Sequence, residues 1–161
     1  MSSKGFKETS VPAHDVQGRK FALVYTDWNS DITERLAISC RDTLLRNGVA
    51  EHNITQTTVP GAFELIYASQ RLMNSGSFDA VIAIGCVVRG GTPHFDYICQ
   101  GVTQGIAMLN TTGNTPVVFG ILTVNSYEQA LARCGGEEGD KGHEFALTAI
   151  KMAAFSCPMA K

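Results

Sequence analysis

The sequence predicts an α/β protein, one three-layer α/β/α sandwich on a parallel sheet. Three observations carry this. Apolar runs of strand length alternate four times with segments whose apolar residues recur every four positions. The connections are too short to hide other structure. The strongest run, Ala80–Val88, is apolar on both faces, as a strand covered by helices on both sides must be. A chain of 161 residues suits a single domain with a real core. With 44% hydrophobic and 17% charged residues it is neither disordered, collagen-like nor coiled-coil.

The elements follow in order. Residues 1–19 are polar and carry Gly5, Pro12 and Gly18; Phe6-Lys7-Glu8-Thr9-Ser10-Val11 reads as an edge strand that needs a host sheet. This divides the chain into an N-terminal arm, 1–19, and an α/β domain, 20–161. Phe21–Thr26 is the first core strand. Ile32, Leu36, Cys40 and Leu44 then mark one helical face, and Gly48 supplies a left-handed stop. Ile54–Val59 is a second strand, ended by Pro60-Gly61, and Leu65, Ala68 and Leu72 mark a second helix stopping near Gly76. After Ala80–Val88 come Ile98, Val102, Ile106 and Leu109 on a third helical face, then a fourth strand over 116–124. Helices over about 126–133 and 141–155 close the chain, separated by Gly135, Gly136 and Gly139. The predicted arrangement is flavodoxin-like: a four-stranded parallel sheet with right-handed crossovers.

Charge and cysteine usage narrow the function classes. A net charge of −2 and a pI near 6.1 offer no bulk attraction to nucleic acid or to acidic membranes. No apolar stretch approaches the roughly 18 residues of a membrane span. The five cysteines are odd in number, scattered and without a C-x-x-C pair, so neither a zinc site nor a disulfide framework is suggested. With no signal-peptide core at the N-terminus, a cytoplasmic location is expected.

In open parallel sheets, ligands bind beyond the carboxyl ends of the strands, where strand order reverses. That rule selects Asp27-Trp28-Asn29, Pro60-Gly61-Ala62-Phe63-Glu64, Arg89-Gly90-Gly91-Thr92-Pro93-His94 and the turn after Phe119. In the third of these, two glycines admit close approach of backbone to a ligand, Thr92 can cap the following helix and Pro93 suits its first turn. Free N–H groups there form an anion site, and His94 beside them suits acid–base work; the plain alternative is a capped helix with a solvated histidine. Trp28, the single tryptophan, can stack on a flat heterocycle or merely cover the core's end. Glu64 can bind hydroxyl groups or serve as a helix-start charge. Arg133 and Lys141 flank a glycine-rich acidic stretch and can hold phosphate, although an ordinary solvated turn explains the segment too. Gly101 and Gly105, within a predicted helix, each cost about 1 kcal/mol against alanine, which points to close packing of another backbone, a subunit interface being favoured over a tolerated pair of weak helix formers.

Together these motifs resemble the lumazine synthase family over about residues 21–155. The resemblance rests on Trp28-Asn29, Val59-Pro60-Gly61-Ala62-Phe63-Glu64, Val88-Arg89-Gly90-Gly91-Thr92-Pro93-His94-Phe95-Asp96-Tyr97 and Pro116-Val117-Val118-Phe119-Gly120-Ile121-Leu122-Thr123. Glu128-Gln129-Ala130-Leu131-Ala132-Arg133 and Asp140-Lys141-Gly142 extend it. The family condenses 5-amino-6-(D-ribitylamino)uracil with 3,4-dihydroxy-2-butanone 4-phosphate to 6,7-dimethyl-8-ribityllumazine, releasing phosphate and water, in riboflavin biosynthesis. The resemblance implies that His94 is the catalytic proton donor and acceptor, that Trp28 with Asn29 forms the aromatic wall, and that Ala62, Phe63 and Glu64 hold the ribityl chain. Cys86, Val87 and Val88 would line the ring and Gly91 and Thr92 the phosphate, with Lys141 nearby. Phe119 and Arg133 would come from the neighbouring subunit. No metal and no redox cofactor is implied.

The resemblance further implies homopentamers, sixty-subunit shells in some members, an N-terminal strand added to a neighbour's sheet, and riboflavin or riboflavin synthase as further partners. Three positions depart from the common pattern. Trp28 stands where phenylalanine is frequent, Glu137 where lysine is frequent, and Cys86 where a small inert residue is usual. Two rivals stand beside this reading. A flavin electron carrier would need a glycine-rich phosphate loop after the first strand, where this chain has Asp27-Trp28-Asn29-Ser30-Asp31. A non-catalytic flavin-binding or shell-forming protein would share the fold but would not need His94, Arg133 and Glu64.

Overall fold

The structure, a computed structural model, describes residues 16–155; the strand expected over residues 6–11 lies outside them. Strand β1 (Phe21–Thr26) leads into helix α1 (Ser30–Arg46), which buries Ile32, Leu36, Cys40 and Leu44, the face predicted from their spacing. The helix ends at Asn47, and Gly48 takes φ +92°, a left-handed stop that only glycine adopts freely. Strand β2 (Ile54–Val59) precedes α2 (Leu65–Asn74), and β3 (Ala80–Val88) precedes α3 (His94–Thr112). Strand β4 (Val117–Val124) and the short α4 (Tyr127–Leu131) follow. Beyond α4, Cys134–Gly136 (β5) and Gly139–Asp140 (β6) pair antiparallel before the closing helix α5 (Lys141–Ala153). Instead of a plain turn, the glycine-rich acidic stretch is thus a hairpin.

The main sheet has the order β2-β1-β3-β4, all parallel. Alternation along the strands feeds two cores. Phe21, Leu23, Ile82, Ile84 and Leu122 pack under α1 and α5, while Ala22, Val24, Val81, Ala83 and Ile121 pack under α2 and α3. Each fully buried large aliphatic contributes about 1.5–3 kcal/mol from surface removed from water. The three-layer, flavodoxin-like architecture is the predicted one, and strand order reverses between β1 and β3.

Two local expectations are corrected. Helix α3 starts at His94 with Pro93 at its cap, already helical at φ −62°, ψ −6°, and no side chain caps it. Thr92 lies one residue too early to cap. Gly101 and Gly105 on α3 make room for side chains of the same chain rather than for another subunit's backbone. A Cβ at Gly101 would stand 2.9 Å from the Phe63 ring, and one at Gly105 would stand 2.6 Å from Cδ1 of Ile66. The helix-propensity cost is offset by seating α2 directly against α3.

Candidate active site

A cleft of about 530 Å³ opens at the carboxyl ends of β1, β2 and β3, at the point where strand order reverses. Trp28 and Asn29 line one wall, Gly61-Ala62-Phe63-Glu64 a second, and Cys86-Val87-Val88 the floor. Gly90, Thr92, His94, Phe95 and Ile98 close it from the start of α3. Ten of the predicted residues meet here: Trp28, Asn29, Ala62, Phe63, Glu64, Cys86, Val87, Val88, Thr92 and His94.

Each wall has its local cause. β1 and β2 stay paired past the strand ends, because the amides of Asp27 and Trp28 donate to the carbonyls of Val59 (2.8 Å) and Pro60 (3.0 Å). The Trp28 indole projects into the open, 74% exposed, and Phe63 is 51% exposed. Trp28 is mostly uncovered by its own chain, and Phe63 rests one edge over Gly101 of α3 while leaving about half its surface open, so apolar surface of both is available to a ligand. Pro60-Gly61 brings the chain round tightly enough for a Glu64 carboxylate oxygen to lie 3.0 Å from where a Gly61 Cβ would be. Gly90 and Gly91 have neither a left-handed φ nor any atom that a Cβ would meet. Packing among the described residues does not explain these two glycines, and their backbone is left unhindered.

Arg89, at the head of this loop, does not face the ligand as a free cation. Its guanidinium forks onto Asp96 (2.8 and 3.3 Å), bonds the Asn125 side chain (3.1 Å) and covers the Phe95 ring at 4.1 Å. This clamp fixes the first turn of α3, and with it His94 and Phe95, to the ends of β3 and β4. His94 is exposed and its ring makes no hydrogen bond among the described residues, leaving both ring nitrogens open to a ligand.

Cys86 is a wall and not a nucleophile. Burial pushes its thiol up to about 12, helped by the nearby Cys134 thiol and the Asp31 carboxylate, so it stays protonated near neutral pH.

Gly91, Phe119, Arg133 and Lys141 do not line this cleft. Gly91 is its immediate neighbour in the loop. Phe119 is half-buried under α2 and α3. Arg133 donates to the Gln129 carbonyl at 2.8 Å beyond α4. Lys141 is only 5% exposed and its ammonium bonds both carboxylate oxygens of Glu144, at 2.7 and 2.9 Å. Gly61 and Gly90, which also line the cleft, stand in the loops the sequence selected, whereas Phe95 and Ile98 were not among the predicted site residues. The four-residue spacing from His94 to Ile98, one face of α3, was the available signal for the last.

Fold and cleft together define a doubly wound α/β ligand-binding protein. Its cleft offers an aromatic wall, a carboxylate and a histidine beside a glycine-rich loop. Sequence comparison makes that class particular. The family model for 6,7-dimethyl-8-ribityllumazine synthase matches residues 18–156. Among similar proteins, the 6,7-dimethyl-8-ribityllumazine synthase of Bacteroides fragilis is 51% identical over 136 residues, covering 84% of this chain and 95% of its own. That of Phocaeicola vulgatus is 51% identical over 146 residues, 91% of this chain and 86% of its own. That of Porphyromonas gingivalis is 56% identical over 134 residues, 83% of each. The chain belongs to the 6,7-dimethyl-8-ribityllumazine synthase family.

Proposed function

We propose that this chain condenses 5-amino-6-(D-ribitylamino)uracil with 3,4-dihydroxy-2-butanone 4-phosphate to 6,7-dimethyl-8-ribityllumazine, with loss of phosphate and water, in riboflavin biosynthesis. The observation that carries the reading is the convergence of Trp28, Glu64 and His94 on one cleft beside the Gly90–Thr92 backbone. The pyrimidine ring stacks on the Trp28 indole above the Cys86-Val87-Val88 floor, and Ala62, Phe63 and Glu64 take the ribityl hydroxyls. Gly91 and Thr92 take the phosphate. His94 moves protons during imine formation, phosphate loss and ring closure. Holding both reactants in one cleft removes the entropy of their encounter, and one acid–base group suffices for the rest.

Among the described residues no free cation lines the cleft, although a phosphate must be held there. This supports a site shared between subunits, in which a neighbour brings Arg133 and Phe119 and its Lys141 lies nearby. Two surfaces support such an assembly. β2 is a sheet edge whose Thr55, Gln56, Thr57 and Thr58 are all exposed, a place for an added strand such as the 1–19 arm of a neighbour. Beyond its first turn, where Asp96 is paired with Arg89, the exposed face of α3 (Tyr97, Gln100, Thr103, Gln104, Ala107, Met108) carries no charge. A pentamer, and a sixty-subunit shell built from it, is the arrangement we infer, in the cytoplasm; among the described residues no helix is long and apolar enough to cross a membrane. Riboflavin and riboflavin synthase are the further partners this role brings.

Mixed assembly tests the shared site. His94→Ala and Arg133→Ala proteins, each nearly inactive alone, are unfolded, mixed and refolded together. In a ring with one site per interface, random mixing makes about a quarter of the sites whole, so ~25% of wild-type turnover returns. No recovery from a properly assembled mixture would place both groups on one chain.

A further inference from the structure

We propose that Asn29 is a positioning residue: its side-chain amide ties the seam where β1 parts from β3, and so holds the Trp28 wall at a fixed distance from the ring-lining segment of β3. The inference rests on the cleft being the pyrimidine site and says what sets its width.

The register of β1 on β3 ends at Tyr25 opposite Ile84. Continued two residues further, it would set Asp27 opposite Cys86. The chain instead turns away, and both Asp27 and Trp28 donate to the β2 side. The carbonyl of Cys86 is thereby denied its backbone partner, and Nδ2 of Asn29 donates to it at 2.9 Å. A side chain replaces the missing rung of the ladder at the point where the sheet splits open to form the cleft.

The cost of this arrangement shows that it is not incidental. Asn29 is the one non-glycine with positive φ among the described residues, at φ 58°, ψ 43°. It stands at the N-cap of α1, where an asparagine ordinarily accepts a hydrogen bond from the first turn, yet it makes no such cap bond. Left-handed backbone and a forgone cap are both unfavourable, and asparagine is among the few residues that tolerate the first. Every other tie in the loop stays on the β1, β2 and α1 side. Thr26 Oγ1 donates to the Trp28 carbonyl (3.0 Å), Thr33 Oγ1 donates to the Thr26 carbonyl (2.6 Å), and the amides of Ile32 and Thr33 donate to the Asn29 carbonyl (3.0 Å each). The Trp28 ring is mostly exposed, so its position follows from the backbone beneath it. Asn29 is the link from that backbone to the floor.

The test uses Asn29→Asp, which keeps the shape but replaces the donor with an acceptor facing a carbonyl, and Asn29→Gly, which keeps the left-handed backbone and removes the tie. Trp28 is the chain's only tryptophan, so its fluorescence anisotropy decay and acrylamide quenching report this loop alone. Wild-type turnover is measured first; its absence would strike the reading of the cleft, and the tether would then be judged on the Trp28 signal. With turnover present, both variants should keep the wild-type circular dichroism and assembly mass while the indole gains mobility. The KM for the ribitylaminouracil should rise about tenfold, the size of one well-made hydrogen bond, with the KM for the butanone phosphate within about twofold. Unchanged Trp28 mobility in both variants, or equal rises in both KM values, would overturn the proposal.

Discussion

The cleft at the β1–β3 seam and the segment from Arg133 to Lys141 both carry groups expected to act on substrate, and the chain builds them in opposite ways. The cleft's groups sit within one or two residues of the carboxyl ends of central parallel strands, so the sheet register sets their spacing. The second segment hangs from a five-residue helix and a short hairpin; among the described residues the Arg133 guanidinium bonds the Gln129 carbonyl of its own helix, and the Lys141 ammonium is held by Glu144. The groups proposed to hold a ring and move a proton are fixed from within one chain, whereas among the described residues no free cation lines that chain's own cleft. Precise geometry comes from the sheet. Charge complementarity is what the proposed assembly adds.

The largest expected effect separates chemistry from construction within the cleft. His94 is exposed and its ring is unbonded among the described residues, so His94→Ala should leave thermal stability and assembly at wild-type values. Loss of a general acid–base group should lower kcat by about 10²-fold, measured by lumazine fluorescence together with phosphate release. A variant that loses stability along with turnover would mean that His94 braces α3 and would blur the contrast between the two regions.

Much of this was legible in the sequence, because the fold depends on patterns that are local. Strands buried on both faces, Phe21–Thr26 and Ala80–Val88, read as apolar runs, and they and the edge strand Ile54–Val59 appear with the bounds read from the sequence alone. The cleft was legible because the rule for parallel sheets places it at strand ends regardless of residue type, and Trp28, Glu64 and His94 stood there. What stayed hidden depends on partners distant in sequence. Nothing near Gly101 or Gly105 reveals that Phe63 and Ile66 fill the space above them. Nothing near Asn29 reveals a bond to a carbonyl 57 residues away. The hairpin of β5 and β6 was masked by glycine and glutamate, which signal turns. Arg89 was read as part of the anion loop, and only the structure shows its charge already taken by Asp96.

Two kinds of glycine sharpen the comparison further. Gly105→Ala places a methyl 2.6–3.0 Å from three atoms of Ile66, a β-branched side chain with little freedom to move. Overpacking of this kind costs about 1–3 kcal/mol, more than the ~1 kcal/mol that alanine gains as a helix former. The net is a loss of up to about 2 kcal/mol and a fall in Tm of several degrees. Gly91→Ala meets no neighbour, so its Tm should hold while the KM for the butanone phosphate rises. If Gly91→Ala unfolds the protein and leaves the KM unchanged, the loop is a structural turn and the anion assignment falls.

The smallest effect lies behind the cleft floor and appears only in alkali. Burial is the main cause that raises both Cys86, to about 12, and Cys134, to about 11, from an ordinary thiol value of 9.0. The sign follows from linkage. Below pH 9 the thiols are protonated in folded and unfolded chains alike, and their contribution is fully present. As pH rises above 9 the unfolded chain releases these protons while the folded chain keeps them, so the unfolded state gains and stability falls through pH 11 and 12. The urea midpoint should therefore be insensitive to these thiols up to pH 9 and decline above it. Tyrosines and lysines titrate in the same range, so the informative quantity is the difference between the wild type and Cys86→Ala. The variant should decline less steeply between pH 9 and 12, and near pH 8 it should show that the wild-type floor thiol contributes almost nothing to labelling by alkylating reagents in the folded state. Parallel declines would mean that water reaches the floor of the cleft, and the dry surface on which the ring is proposed to rest would then be a wet one.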